Sequence, residues 1–410
     1  MDEVARRYLL LGLRLARHRP DLVGAYYGPP ELAEAVAGEE PAPAAELHAE
    51  AMTLAGMVSE LPQETPGGGR RSAWLASQLK AMSALSRRIG GEEIRFVDLV
   101  EELLEVSVSL EPESTFQAAH RLLDSALRGS GSLRERLDRH AACTAIPRGR
   151  ELAVLVALTK VMRSQSRAQL WLPEDESIVF EEAHGESWAT KARYVGGGRS
   201  IVRVNCDLPV TIGRIVELAA DQGYPGRHAA AAVKDVVLVV ASRGELTLPV
   251  ELSPQAVIAE GMASLAREVV MTDGELGYEL GRLARAEGMN VDVEAELVVQ
   301  RARWLLAPAV GNAALALHQD EQPREQVRSY LRDVGLIEDA RLVAALARLA
   351  DPLWAAHSFA HIDGRRLVGE WLETHGQTHG YGRLMAEQLT PALLREEVGV
   401  PPSLYPDSFA

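Results

Sequence analysis

Cysteine is nearly missing from this sequence. Only Cys143 and Cys206 occur in 410 residues. They form no C-x-x-C unit, which argues against a sulfur-ligated zinc site and leaves a disulfide between them without support. Aromatic residues make up 5% of the chain. Alanine and leucine dominate instead, and both favour helix. Positive charge is in deficit, with 43 Lys and Arg against 58 Asp and Glu, a net charge of −15 and a pI of about 5.3. A nucleic-acid partner needs a basic footprint, so this balance argues against one. Long apolar runs are missing too. The run from Leu9 to Leu15 is broken by Gly12 and Arg14, and it follows the acidic start Met1-Asp2-Glu3. That is neither a signal peptide nor a membrane span. The expectation is a cytoplasmic protein with no membrane partner.

What is present is helical periodicity. The hydrophobic content of 47% supports a full core. Four hundred residues suffice for two average domains or one large helical one. Apolar spacing and turn residues predict helices over 4–18, 43–61, 72–88, 96–106, 115–127, 133–142 and 148–167. Between the second and third, Pro66-Gly67-Gly68-Gly69-Arg70-Arg71 reads as a flexible loop. Tyr26-Tyr27-Gly28-Pro29-Pro30 reads as a turn whose tyrosines pack on the core. The texture changes near Gln169. Segments 177–182, 189–195 and 200–205 alternate in the β manner around Gly196-Gly197-Gly198, which suggests a small antiparallel sheet near residues 177–205. Helices resume over 209–222, with Asp207 as the suggested cap, and from 228 to about 240, where the apolar run 236–240 reads as either a buried helix end or a strand. They continue over 255–270, 273–287, 291–317, 323–334, 339–349, 353–371 and 391–397. The fold class expected is mainly α, as an N-terminal helical region 1–167 and a region 168–410 that carries the sheet, the two forming one compact unit.

Amid these helices lies Asp221-Gln222-Gly223-Tyr224-Pro225-Gly226-Arg227-His228, with Glu260-Gly261-Met262-Ala263 downstream. A helix broken by Tyr-Pro-Gly places side chains in one concave corner. The stretch resembles the bacterial "domain of unknown function 885" family, regarded as zinc-metallopeptidase-like. Members carry His-Glu-x-Tyr-Pro-Gly-His-His here, and Glu-Gly-Trp/Leu-Ala downstream. This chain keeps Gly223, Tyr224, Pro225, Gly226 and His228, and also Glu260, Gly261 and Ala263. It has Asp221 and Gln222 where the family has His-Glu, and Arg227 where the family has the first His of the pair. The resemblance implies a multi-helix gluzincin-like fold with a degenerate site.

In such a peptidase, two histidines and a glutamate hold zinc, and a second glutamate takes a proton from the metal-bound water. Here the metal candidates are His228, Glu260 and Asp221. The catalytic candidates are Tyr224 and Gln222, but an amide takes no proton at neutral pH. On a straight helix Asp221 and His228 would be about 10.5 Å apart along the axis, so only the Pro-Gly break could bring them to one ion. Arg227 is the available cation, and its planar fork suits pairing with Glu260, Asp221 or both in place of a metal. Two further pairs, His357/His361 and His375/His379, sit four residues apart without the glutamate of H-E-x-x-H. Three readings remain open at this point. One is a diverged, non-hydrolytic protein with no cofactor that binds a peptide or small molecule in the old cleft. Another is a zinc hydrolase rebuilt on Asp221, His228 and Glu260. The third is a helical interaction protein with no cleft function.

Overall fold

The computed structural model describes residues 1–61, 68–186 and 188–398. The fold is mainly helical with one small sheet. Polar caps fix several helix starts. Asp2 accepts a bond from the Ala5 amide, and Ser132/Glu135 and Thr272/Glu275 form capping boxes. Each satisfies amides that a helix start leaves unpaired.

The sheet is mixed rather than antiparallel. Its strands are β1 (Ser177–Ala183), β2 (Thr190–Tyr194) and β3 (Arg199–Asn205), in the order β1-β3-β2. β2 and β3 form the expected hairpin, turned by Gly196, Gly197 and Gly198 at positive φ. β1 pairs in parallel with the other edge of β3. The reason lies in burial. Ser200, Val202 and Val204 of β3 face the core, whereas β1 and β2 are largely exposed. The most buried strand therefore takes the centre, where both edges are paired.

Other expectations also need correction. Residues 293–306 and 309–318 form two helices, because Pro308 cannot continue the first. Two unforeseen helices appear, Pro30–Ala37 and Gln377–Ala386. Gly68 to Arg71 belong to the helix Gly68–Ile89, while Pro66 and Gly67 lie outside the described residues. The 212–222 helix is capped by Thr211, since Asp207 is engaged by His184 and the Gly185 amide. Cys143 and Cys206 are both free thiols.

Two long helices, Pro254–Val270 and Pro352–His375, form the most extensive helix pair. They cross where Gly261 meets Gly364. A Cβ on Gly261 would stand 2.2 Å from the Gly364 carbonyl oxygen, and one on Gly364 would stand 2.3 Å from the Val257 oxygen. Two large hydrophobic clusters flank this spine. One joins residues 4–106 to segments 246–257 and 313–360, and the other joins 146–172 to the sheet and to helices as far as Leu394. Each cluster therefore draws on both sides of residue 168. Among the described residues no helix is long and apolar enough to cross a membrane.

Candidate functional site

The Ile212–Gln222 helix stops at Gly223, and the Arg227–Lys234 helix starts after Gly226, with a cis Tyr224–Pro225 bond between them. A Cβ on Gly226 would lie 2.0 Å from the Asp221 carbonyl oxygen, so the reversal needs glycine there. This bend carries Arg227 back towards the end of the first helix. Its Nε donates to Asp221 Oδ1 at 2.9 Å, and a terminal nitrogen donates to Glu260 Oε2 at 2.7 Å. One guanidinium thus bridges two carboxylates from different helices. Burial alone would raise the pKa of Glu260. The Arg227 charge outweighs it, helped by His361 and His357, and the carboxyl stays well below its usual range.

His228 faces elsewhere. Its Nδ1 lies 2.8 Å from Ser200 Oγ and its Nε2 lies 3.1 Å from Glu176 Oε2. Glu176 is fully buried and organises a second network. It accepts from the Tyr224 hydroxyl, and from Arg163 and Arg167 at 2.8 Å each. Burial opposes its ionisation, but His228, Tyr224 and the two arginines prevail and bring its pKa down to about 2. Burial, reinforced by the bond to Glu176, raises the pKa of the Tyr224 phenol. Tyr224 therefore serves as a protonated donor into this network. Gln222 is buried at the wall of a cavity of about 230 Å³, which Tyr27, Arg227 and His228 also line. A larger cavity of about 570 Å³ has Asp221 and His361 in its lining.

Comparison with known proteins bears on this fold alone. No family model matches the chain, and no curated protein matches it. Among solved structures, a candidate lipoprotein from Colwellia psychrerythraea is similar at a TM-score of 0.51 and 14% identity, over 86% of this chain and 66% of that one. The chain thus spans just under two thirds of that protein. A candidate lipoprotein of unknown function from Shewanella oneidensis is similar at a TM-score of 0.50 and 10% identity, over 93% of this chain and 77% of that one.

The zinc implied by the family resemblance does not fit these residues. Asp221 and Glu260 hold a guanidinium between them, and both ring nitrogens of His228 are engaged on Ser200 and Glu176. Among the described residues no three His, Cys, Asp or Glu side chains form a metal-holding group. Asp221, Arg227 and Glu260 come together, whereas His228 and Tyr224 join the Glu176 network.

Sequence reasoning overlooked Glu176, Arg163 and Arg167, and it gave the His357/His361 pair no place in the corner. His357 Nε2 lies 3.9 Å and His361 Nδ1 3.4 Å from Glu260, so this i, i+4 pair does face the corner. Burial pushes His357 down to about 4, with Arg348 and Arg227 adding to the effect against the pull of Glu260. The other pair does not share a helix face. His375 ends one helix, stacked on Trp371 at 3.8 Å, while exposed His379 belongs to the next. Arg163 and Arg167 gave a usable signal, as two cations one turn apart. Glu176 gave none, because it sits in a charged loop just before β1.

Proposed function

We propose that this protein is a diverged metallopeptidase-like protein that binds a peptide or small ligand in the former catalytic cleft and does not hydrolyse peptides by a zinc mechanism. The observation that carries the reading is Arg227 bridging Asp221 and Glu260. A cation of fixed charge neutralises the carboxyl groups that would otherwise ligate metal, since arginine does not deprotonate in proteins. The expected base position holds an amide, Gln222. The adjoining cavity of about 570 Å³ is within the range of small-molecule sites. One observation favours a rebuilt metal-dependent hydrolase instead, namely that His357 and His361 flank Glu260. Arg227 weighs against that alternative, because its charge repels a divalent ion at the same carboxylate.

The test is elemental analysis of protein purified without added metal, together with a quenched-fluorescence peptide assay with and without zinc. The expected result is no stoichiometric zinc after dialysis against a mild chelator and no zinc-stimulated cleavage. Zinc that survives dialysis and is lost on His228→Ala would refute the reading. The triple change Asp221→His, Gln222→Glu and Arg227→His should raise zinc affinity if the scaffold still supports the family site.

A further inference from the structure

The larger cavity contains a charge imbalance. Three arginines from three helices meet at one carboxylate. Arg214 comes from Ile212–Gln222, Arg303 from Val293–Leu306 and Arg341 from Asp339–Leu349. Their guanidinium nitrogens lie 3.9, 3.7 and 3.2 Å from the Glu338 carboxylate, respectively. Among the described residues, Glu338 is the one acid within salt-bridge distance of any of the three. All four residues line the cavity. The cluster is thus left with about two uncompensated positive charges, in a chain whose net charge is −15.

The other acids in the wall do not correct this. Asp221 is held by Arg227, and Glu217 lies 3.1 Å from Arg267. Glu151 is buried at the start of its own helix. The cationic cluster is costly to keep. Burial, then the charges of Arg341 and Arg303, push Arg214 down to about 9 despite Glu338. Strongly perturbed groups in a cleft mark candidate functional sites. The same helix face that carries Arg303 carries Gln300, one turn earlier. Gln300 is buried, neither polar atom of its amide has a partner, and Gly213 leaves room for it by lacking a Cβ. The rest of the lining is largely apolar, including Leu123, Leu137, Leu155, Ile215 and Leu218.

We infer that the larger cavity binds an amphiphilic organic anion, with its carboxylate or phosphate head on Arg214, Arg303 and Arg341 and its apolar body against the leucine walls. Guanidinium forks match the oxygen geometry of both heads. A phosphate monoester, at close to two negative charges, would bring the cluster near neutrality. Glu338 holds the arginines together when the head is absent and competes with it when present. The inference deepens the ligand-binding reading and rests on it for the cavity's use.

The experiment is calorimetric titration of the full chain with octyl phosphate, octanoate and octanol. Both anions are expected to bind at least tenfold more tightly than octanol, with the tighter of the two fixing the head group. Arg303→Gln and Arg341→Gln should each weaken the anions roughly tenfold or more, as expected for bonds to a charged group, and leave octanol unchanged. Glu338→Gln should tighten the anions, because it removes the competing charge. Glu338 makes no capping bond, so this variant decides the matter even where an arginine variant fails to fold. Octanol binding as tightly as the anions, no binding by any of the three, or weaker anion binding in Glu338→Gln would overturn the inference. Zinc content and hydrolysis are read on the same sample, so the two proposals fail separately. Zinc-dependent cleavage sinks the first, and charge-blind binding sinks the second.

Discussion

Replacing Arg227 with methionine removes the bridge while keeping much of the side chain's length. The size of the effect follows from exposure. Asp221 and Arg227 keep about a third of their side chains open, at 33% and 31%, so their bond belongs with surface pairs worth roughly 1 kcal/mol or less. Glu260 keeps only 13%. Stranding a buried charge costs about 3–5 kcal/mol, and His361 at 3.4 Å relieves part of that. The expected loss for Arg227→Met is therefore about 2–3 kcal/mol. At ~2.1 cal/mol/K per residue, a chain of this length has an unfolding entropy of about 0.9 kcal/mol/K, so Tm should drop by roughly 2–4 °C. Urea melts followed by circular dichroism should agree. Adding Glu260→Gln should cost about 1–2 kcal/mol less than the sum of the single changes, because the second change removes the stranded acid. The pH dependence has a definite sign. Glu260 has a depressed pKa in the folded state, so its contribution is complete above the ordinary carboxylate range and is lost as pH falls through and below it. The gap between wild type and Arg227→Met should be widest near neutrality and narrow below about pH 4. An Arg227→Met cost under about 0.5 kcal/mol, with strict additivity in the double variant, would refute the bridging argument.

Three further outcomes are expected. His357, at about 4 in the folded state, stabilises by staying neutral, a contribution complete above about pH 6.5 and lost as pH falls towards 4. His357→Gln should therefore remove about 2 kcal/mol of acid sensitivity between pH 7 and 4.5, as read from paired urea melts. Glu176→Gln should cost about 2–4 kcal/mol at pH 7, since it weakens four charged or hydroxyl contacts at a fully buried carboxylate. With Glu176 at about 2, the part of this difference linked to its ionisation should shrink as pH falls below about 4. Gly261→Ala should lower the urea midpoint by an amount equivalent to about 1–3 kcal/mol, because a methyl group cannot fit 2.2 Å from the Gly364 oxygen without parting two helices.

The helical class was legible in the sequence because period and composition agreed over long stretches. Helix starts were less so. Thr211 caps the site helix, where Asp207 had been the suggested cap, and which oxygen reaches an amide depends on tertiary placement. The β2–β3 hairpin was legible from its glycines, but the place of β1 was not, since alternation says nothing about which edge a strand pairs with. The Arg227 bridge could be anticipated, because the motif and its downstream Glu-Gly supplied a fixed cation and two acids that had to be balanced. His228 shows the opposite case. Its partner Glu176 lies 52 residues earlier in a loop with no pattern of its own, so nothing local announced that the imidazole would turn away. The Arg214, Arg303 and Arg341 cluster was equally invisible, because its members are scattered over three helices.

Arg227 is also a wall. It lines the smaller cavity, while its partner Asp221 lines the larger one. The ion pair that balances the corner's charge therefore ties a residue of one lining to a residue of the other. Trimming Arg227 to alanine would do more than strand a carboxylate, because it would remove a lining residue of the smaller cavity and free one of the larger. Placing a histidine at position 227 faces the same constraint, since a shorter ring would change the lining of the smaller cavity as well as the charge balance. Charge balance and compartment shape are thus tied to one residue, and neither can drift without the other.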